Sequence, residues 1–465
     1  MAPTQSRSQR KAAFLQAAGE MYERLEAWYD AHPAATFEAI EEELRQQRRE
    51  LMGGALATLI VGRDSGYQPA APPCPTCGQA MRFEGYRPWT VKGLEGDSVL
   101  ERAYYSCPGC VGAAFSPLDQ KLALRADHWS GGAARVATRL GLQAKSFDLA
   151  AAGFSDAVGR DISGDSVARL MEDWGRRVAA QRSAEAERAN RPGRRGERLT
   201  QRRLPEVAPI TTPANISTDG AMLLVREEGW KEVKIVAISE VRTQPASARQ
   251  TAQPSRRDAD ALVTLSQHSY QAGLWDADTM ALYQYAEGLR RGLDDCPKRS
   301  SVNDGALWIK RITDLNFPGV PQIVDWSHAT EHRWAVANAV HGEHTAAAHQ
   351  WVEPQWDRLW RGQVAQVVET LDQLDLQPPR WPDLVQEAPN YFRSNQDRMR
   401  YDSFRARGYP IGSGTVESAA NTVVHHRLRR PGRGCTRNNG QAMLAGLSEL
   451  HSGRFEHAWY HLALN

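Results

Sequence analysis

The chain has 465 residues, of which 41% are hydrophobic and 24% charged, and its formal net charge is +2. This length exceeds one ordinary core and predicts three or more domains of a globular protein. No apolar run approaches the roughly 20 residues that span a bilayer, and the N-terminus lacks the apolar core of a signal peptide. We therefore expect a cytoplasmic protein without membrane association. The small net charge does not indicate nucleic acid by itself, so that inference must rest on local clusters.

The first 68 residues are predicted to be a helical N-terminal segment. Apolar residues recur at helical spacing on both sides of His32 and Pro33, so two helices with a break between them are expected. A short proline-containing linker follows at 69–73. The pattern indicates a segment that packs either on a neighbouring part of the protein or on a second protomer, and it indicates no chemistry.

Four of the six cysteines form two Cys-x-x-Cys pairs, Cys74 with Cys77 and Cys107 with Cys110. Each tight turn places two sulfurs on one side, which suits a tetrahedral Zn²⁺ site with four thiolate ligands. Short β-type runs lie between the pairs and are typical of a zinc ribbon, which we assign to 69–117. Four thiolates leave no open position, so the Zn²⁺ is expected to be structural. The alternative is a set of thiols without metal.

Residues 118–181 are predicted to contain a helix-turn-helix. A turn at 159–161 separates two helical patterns, and short polar residues precede Arg169 at the start of the second helix. This suits a recognition helix in the major groove of DNA, although a plain helical hairpin has the same signature. Residues 182–206 are rich in arginine and include Arg194 and Arg195. They are predicted to be a flexible basic linker that either follows a phosphate backbone or is simply solvated.

From residue 207 onward, strands alternate with helices. Three hairpin-like strands and a helix precede two strands that are each followed by a helix, which is the order of a ribonuclease H-like fold. We assign the first part of this core to 207–328 and its last part to 408–465. Residues 329–407 are helical and rich in tryptophan, and they predict a helical insertion whose tryptophans form its core. The predicted fold class is therefore multidomain α+β.

Acidic residues stand where strand-like runs end. Asp219 and Asp304 each precede a glycine, and Glu417 follows a loop rich in glycine and proline. An Asp-Gly pair also signals a hairpin turn, and this alternative stays open for Asp219, whereas the helix after Asp304 disfavours it there. Asp325 and His328 follow the next strand as half of a metal site, an orienting pair or a capping cluster. Glu417 alone would equally complement a helix dipole.

Three converging carboxylates would have a specific chemical use. Mg²⁺ prefers a few hard carboxylate oxygens and shares the rest of its shell with water and substrate phosphate. Two such ions about 3.5–4 Å apart activate a nucleophile and relieve charge in phosphodiester cleavage. One bridging aspartate, a second aspartate and a glutamate would be sufficient ligands.

These motifs together resemble those of a known family, the Kra-type insertion-sequence transposases of bacteria. This family is a branch of the DDE transposases and is similar to the Mutator group. The resemblance covers nearly the whole chain. It rests on the following motifs: Cys-Pro-Thr-Cys-Gly at 74–78, Ser-Thr-Asp-Gly at 217–220, Gly-Trp-Lys-Glu-Val-Lys at 229–234, Asn-Asp-Gly-Ala at 303–306, Asp-Trp-Ser-His at 325–328, and the glycine loop and helix opening at 408–421.

The resemblance implies a ribonuclease H-like catalytic core that is split by a helical insertion before the glutamate. It implies Asp219, Asp304 and Glu417 as ligands of Mg²⁺ or Mn²⁺, and Asp325 and His328 as a signature of the wider group. The pattern leaves open whether Asp304 or Asp325 is the second catalytic aspartate, and the strand order favours Asp304.

We accordingly expect a DNA transposase that acts as a homo-oligomer on double-stranded DNA, both element ends and target, in the bacterial nucleoid. Arginines after Glu417 are expected to hold phosphates near the metals: Arg427, Arg429 and Arg430. Two rivals remain. One is a domesticated DNA-binding regulator without catalysis, and the other is a ribonuclease H-like nuclease that cuts without joining.

Overall fold

The structure is a computed structural model. It describes residues 5–110, 112–191, 209–245, 262–374, 376, 381–412, 414–429 and 434–464, without the side chains of Thr415, Glu417, Ala463 and Leu464. Helices and strands are mixed, and the chain divides into two compact units, Met1–Leu170 and Met171–Asn465. Among the helices in the described ranges, none combines the length and the apolar character that a membrane span requires.

The N-terminal unit combines a helical hairpin, a small antiparallel sheet and further helices. Its elements are α1 (Arg7–Ala31), α2 (Phe37–Val61), β1 (Arg82–Gly93), β2 (Gly96–Ser106), β3 (Ala114–Phe115), α3 (Pro117–Lys121), α4 (Gly131–Gln143), α5 (Phe147–Val158) and the start of α6 (Gly164–Ala189). The sheet has the order β1-β2-β3 with antiparallel pairs. The predicted break between the first two helices is confirmed, and Thr36 caps the second by accepting a hydrogen bond from the N–H of Ala39.

Two helices joined by a turn lie at the predicted helix-turn-helix. Ser146 caps α5, and the helix ends at Gly159, whose φ of +68° is a left-handed conformation that glycine adopts at little cost. The following helix α6 continues to Ala189. The predicted flexible linker is therefore wrong over 182–189, because those residues extend a helix. Residues 192–206, with Arg194 and Arg195, lie outside the described residues.

The C-terminal unit is built on one five-stranded sheet with helices packed on it. Its strands are β4 (Ala214–Val225), β5 (Gly229–Gln244), β6 (Leu262–Gly273), β7 (Arg299–Asn303) and β8 (Gln322–Val324). Its α-helices after α6 are α7 (Ala277–Arg290), α8 (Leu307–Asn316), α9 (Trp326–His341), α10 (Ala346–Trp360), α11 (Val364–Asp372), α12 (Asp383–Gln386), α13 (Ala388–Ser394), α14 (Tyr401–Ala406), α15 (Gly414–Ala419), α16 (His426–Leu428), α17 (Arg437–His451) and α18 (Phe455–Leu464). A π-helical turn, Ala420–His425, joins α15 to α16.

The five strands are arranged in the order β6-β5-β4-β7-β8. The first three strands along the chain pair as antiparallel neighbours, whereas β7 runs parallel to β4 and β8 runs parallel to β7. Within this sheet β5 is thus the strand that runs against the other four. The predicted succession of three paired strands, a helix, and two strands each followed by a helix is confirmed.

Two hydrophobic cores hold the sheet and its helices together. One joins Ile216 and Ile238 of the sheet to Met280 of α7 and Ile312 of α8. The other joins Val302 of β7 and Val324 of β8 to the helices of 329–407. The tryptophans of this segment, most of which were predicted to form its core, are half-buried against it: Trp356 and Trp360 stack at 5.1 Å, and both pack edge-on against Trp326.

Six charged side chains of α6, α7, α17 and the turn between α17 and α18 form a buried ion-pair network: Arg182, Glu185, Glu287, Arg290, Glu449 and Arg454. Glu449 is central to it, because Arg182 Nη2 lies 2.7 Å and Arg454 Nε 2.9 Å from its Oε2 atom. Burial alone would raise the pKa of Glu287, but the charges of Arg454 and Arg290 outweigh this effect and lower the pKa to about 2. The network therefore fixes α17 to α7 only while its carboxylates are ionised.

Candidate functional site

The four predicted metal-binding cysteines come together in the N-terminal unit. The Sγ atoms of Cys74, Cys77, Cys107 and Cys110 all lie within 4.8 Å of one another, and the Cys77 and Cys107 sulfurs are 3.6 Å apart. Thiolates about 2.3 Å from a tetrahedral Zn²⁺ would be spaced by slightly less than 4 Å, so the cluster fits this metal. The four cysteines can hold a structural metal such as zinc.

Local backbone turns prepare this cluster. The N–H of Gly78 donates to Cys74 O, and the N–H of Cys107 donates to Ala113 O, so each cysteine pair sits on a closed turn. The backbone N–H groups of Cys77 and Thr76 lower the pKa of the Cys74 thiol to about 6. This shift favours the thiolate of Cys74, the form that binds metal, whereas the hydrogen bond with Cys77, and after it burial, raise the pKa of Cys110 to about 12.

The strand registers align three aspartates of the C-terminal unit. Ile216 of β4 is level with Ser301 of β7, and the same register continued along both strands brings Asp219 level with Asp304. Asn303 of β7 is level with Val324 of β8, so Asp304 and Asp325 are level at the next position. Neighbouring strands lie about 4.8 Å apart. The three aspartates, which we call the aspartate row, therefore lie toward the same side of three neighbouring strands: Asp219 within β4, Asp304 directly after β7 and Asp325 directly after β8.

Asn303 links the three strands immediately before this row. Its Oδ1 accepts a 2.6 Å hydrogen bond from the N–H of Thr218, and its backbone oxygen accepts a 2.7 Å bond from the N–H of Asp325. Asn303 is buried. The three aspartates consequently follow directly after a buried, hydrogen-bonded crosslink between their strands.

Asp219 lies in the middle of a strand. It pairs with Ile235, and β4 continues without a break to Val225, so the alternative that residues 219–220 form a hairpin turn is wrong. The chain instead turns after Val225, where the N–H of Glu228 donates to the Val225 carbonyl. The half-buried Asp219 carboxylate accepts a 2.7 Å hydrogen bond from the N–H of Gly220.

Asp304 occupies a short loop between β7 and α8, as predicted. Its Oδ1 accepts a 2.9 Å hydrogen bond from the N–H of Ala306, and the carboxylate is partly exposed. Gly305 has a φ of +97°, and a Cβ there would stand 3.2 Å from the ring of Tyr391. Glycine is thus required here both by the backbone angle and by the close approach of an aromatic ring.

Asp325 caps helix α9 at the end of β8. It is 1% exposed, and its Oδ1 accepts hydrogen bonds from the N–H of Ser327 at 2.6 Å and of His328 at 3.2 Å, as well as from the Ser327 hydroxyl. Of the three alternatives for this pair, the capping cluster is therefore the one that the structure shows. The His328 ring is partly exposed, with Nδ1 3.6 Å from the Glu331 carboxylate.

The glycine loop before Glu417 lies against Asp325. The N–H of Trp326 donates to Ile411 O at 2.8 Å, and a Cβ on Gly412 would stand 4.0 Å from Asp325 Oδ2. Helix α15, which contains Glu417, packs against β4 and β5. The helix of Glu417 thus contacts the strand of Asp219. The π-helical turn after it is a feature that often marks functional sites.

The predicted DNA-contacting arginines have different environments. Arg169 is exposed on α6, with Nη2 3.2 Å from the Ser166 hydroxyl, and Arg429 is exposed with its guanidinium 5.9 Å from the Trp230 ring centre. Arg427 is 7% exposed, so the prediction that it contacts phosphate is corrected: a side chain packed inside the unit does not reach a DNA backbone. Arg430 lies outside the described residues.

Among the side chains that the structure describes, the cysteine cluster is the group of three or more potential ligands within 4.8 Å of one another. The described carboxylates of Asp219, Asp304 and Asp325 do not form such a group. No protein-family model matches the chain, and no curated protein matches it either.

Three residues near the aspartate row were not identified from the sequence: Asn303, Tyr391 and Arg398. The position of Asn303 directly before Asp304 at a strand end was an available signal. No signal in the sequence pointed to Tyr391 or Arg398, because both lie far along the chain from the Asp304 loop that they contact.

Proposed function

We propose that this protein is a DNA transposase that binds the ends of its own mobile element and carries out metal-dependent DNA cleavage and strand transfer. The observation that carries the proposal is the row of Asp219, Asp304 and Asp325 across three neighbouring parallel strands, next to the helix of Glu417. The order β6-β5-β4-β7-β8, with β5 antiparallel to the rest, supports a ribonuclease H-like core for these residues.

The donor set fits Mg²⁺ or Mn²⁺, since aspartate and glutamate oxygens are the ligands these ions prefer. Asp219, Asp304 and Glu417 would hold the ions. When bound, two ions supply an activated nucleophile and relieve the charge that develops on the phosphate. Asp325 would take a supporting part: as the cap of α9 it fixes the backbone beside Asp304 and seats the glycine loop that precedes Glu417.

The N-terminal unit offers candidates for DNA recognition. The cysteine cluster would hold a structural Zn²⁺ that fixes the small sheet, and the exposed Arg169 would contact DNA from helix α6. In the C-terminal unit, the exposed Arg429 would contact phosphates. The predicted homo-oligomer is part of this proposal, since joining two element ends to one target needs two active sites.

The test uses purified protein, Mg²⁺ or Mn²⁺, labelled fragments that carry the element's ends, and a target plasmid. Wild-type protein should yield joined products, and Asp304→Asn should bind the ends without cutting them. Asp314→Asn is the matched control, because Asp314 is an exposed aspartate of the neighbouring helix α8 that pairs with Lys310. It should join DNA as the wild type does.

Other products would favour the rival functions. DNA that is nicked but never joined would indicate a nuclease, and specific binding without chemistry under either metal would indicate a regulator. Joining that survives Asp304→Asn would assign the second metal ligand to Asp325.

A further inference from the structure

The helical segment 329–407 reaches the Asp304 loop through two side chains. The Tyr391 hydroxyl donates a 3.0 Å hydrogen bond to Asp304 O, and Arg398 Nη2 donates a 3.0 Å bond to Gly305 O. Tyr391 belongs to α13, and Arg398 to the 3₁₀ turn that follows it. Two consecutive carbonyls of the loop are thus held by residues 87 and 93 positions further along the chain.

These bonds control the orientation of the Asp304 carboxylate. The peptide plane that joins Gly305 to Ala306 contains both the carbonyl that Arg398 binds and the N–H that donates to Asp304 Oδ1. Because a peptide unit is planar, fixing that carbonyl also fixes the direction of that N–H. Tyr391 fixes the preceding peptide plane, which joins Asp304 to Gly305, through its bond to Asp304 O. Two neighbouring peptide planes of the loop are therefore fixed by residues of the segment 329–407.

Tyr391 is itself rigidly placed. Its ring stacks on His332 with the centroids 3.8 Å apart and an interplanar angle of 16°. Its hydroxyl must be the donor in the bond to Asp304 O, because a carbonyl oxygen can only accept. Burial lowers the pKa of His332 to about 4, which leaves a neutral ring as the stacking partner at physiological pH.

We propose that Tyr391 and Arg398 are positioning residues that hold the Asp304 carboxylate in the geometry needed to bind a divalent cation. The proposal rests on the proposed function, since it assigns Asp304 to a metal site. It gives the inserted helices a task beyond packing: they set the affinity of the site for its metal. Removing a residue that positions a metal ligand through hydrogen bonds typically lowers metal affinity by about 10–100-fold.

The test is direct Mn²⁺ binding, measured by electron paramagnetic resonance of the free ion, together with the Mn²⁺ dependence of DNA cleavage. Tyr391→Phe keeps the stacked ring and removes only the donor. We expect its Mn²⁺ dissociation constant to rise by about 10-fold, with the cleavage rate returning to the wild-type value at saturating Mn²⁺. Arg398→Lys, which keeps the charge and changes the donor geometry, should raise the dissociation constant as well.

Tyr283→Phe is the matched control. Tyr283 is a buried tyrosine of the same unit whose hydroxyl bonds to Ser183, so the change removes a comparable hydrogen bond away from the Asp304 loop. It should leave Mn²⁺ binding unchanged. Equal Mn²⁺ binding by Tyr391→Phe and the wild type would overturn the positioning role and leave the proposed function intact. A wild-type protein whose Mn²⁺ binding is insensitive to Asp304→Asn would overturn both.

Discussion

The buried ion-pair network of the C-terminal unit allows a quantitative test of how this unit is held together. Glu449 accepts two hydrogen bonds from Arg182, at 2.8 and 2.7 Å, and two from Arg454, at 2.9 and 3.1 Å. Glu449→Gln keeps the shape of the side chain and removes its charge. In the wild type, the three arginines of the network are balanced by three glutamates. The variant therefore leaves Arg182 and Arg454 buried with one negative charge fewer beside them.

The expected loss follows from burial. Glu449 is 0% exposed and Arg454 1%, so water cannot replace the missing charge. Removing one partner of a buried ion pair costs about 3–5 kcal/mol. With a urea dependence of about 3 kcal/mol per molar, the midpoint of unfolding of this unit should fall by more than about 1 M.

The assay is urea unfolding at neutral pH followed by tryptophan fluorescence, with urea chosen because it does not screen charge. Glu228→Gln is the matched control. Glu228 accepts the same two-pronged contact from Arg437, with both bonds at 2.6 Å, but this pair is exposed to solvent. Its midpoint should shift far less, since exposed ion pairs contribute little. If the two variants unfold at the same urea concentration, burial is not what makes the network stabilising.

Two further predictions concern protons and metal. Because the pKa of Glu287 is about 2 in the folded protein and about 4.5 when unfolded, its stabilising charge is complete above pH 4.5 and lost as the pH falls toward 2. Urea midpoints of the wild type should therefore fall across that window more steeply than those of Glu287→Gln, and parallel curves would contradict this reasoning. Purified wild-type protein should contain one zinc per chain by mass spectrometry. Cys77→Ser should lose the zinc and Cys435→Ser, which lies outside the cluster, should keep it; a zinc-free wild type would refute the assignment.

The elements of the fold were largely predictable from local pattern. Helices on either side of residues 32–36, the cysteine pairs and the strands 299–303 and 322–324 follow from spacing and turn residues alone. The errors arose where two local signals compete. An Asp-Gly pair usually marks a turn, yet residues 219–220 continue a strand because β5 pairs with β4 on both sides of them. The start of the predicted linker, residues 182–189, instead extends α6, where Arg182 pairs with the buried carboxylate of Glu449, a partner that only folding supplies.

The sequence by itself determined which residues have the chemistry of a site: four cysteines in two close pairs, and acidic residues at strand ends and behind a glycine loop. These are local properties, fixed by residue type and short spacing. Only the tertiary structure decided which of them meet. Parallel register aligns Asp219, Asp304 and Asp325, capping buries Asp325, and packing buries Arg427. Tyr391 and Arg398 reach the Asp304 loop for the same reason, because long-range contacts arise from the packing of whole elements and leave no pattern in the chain.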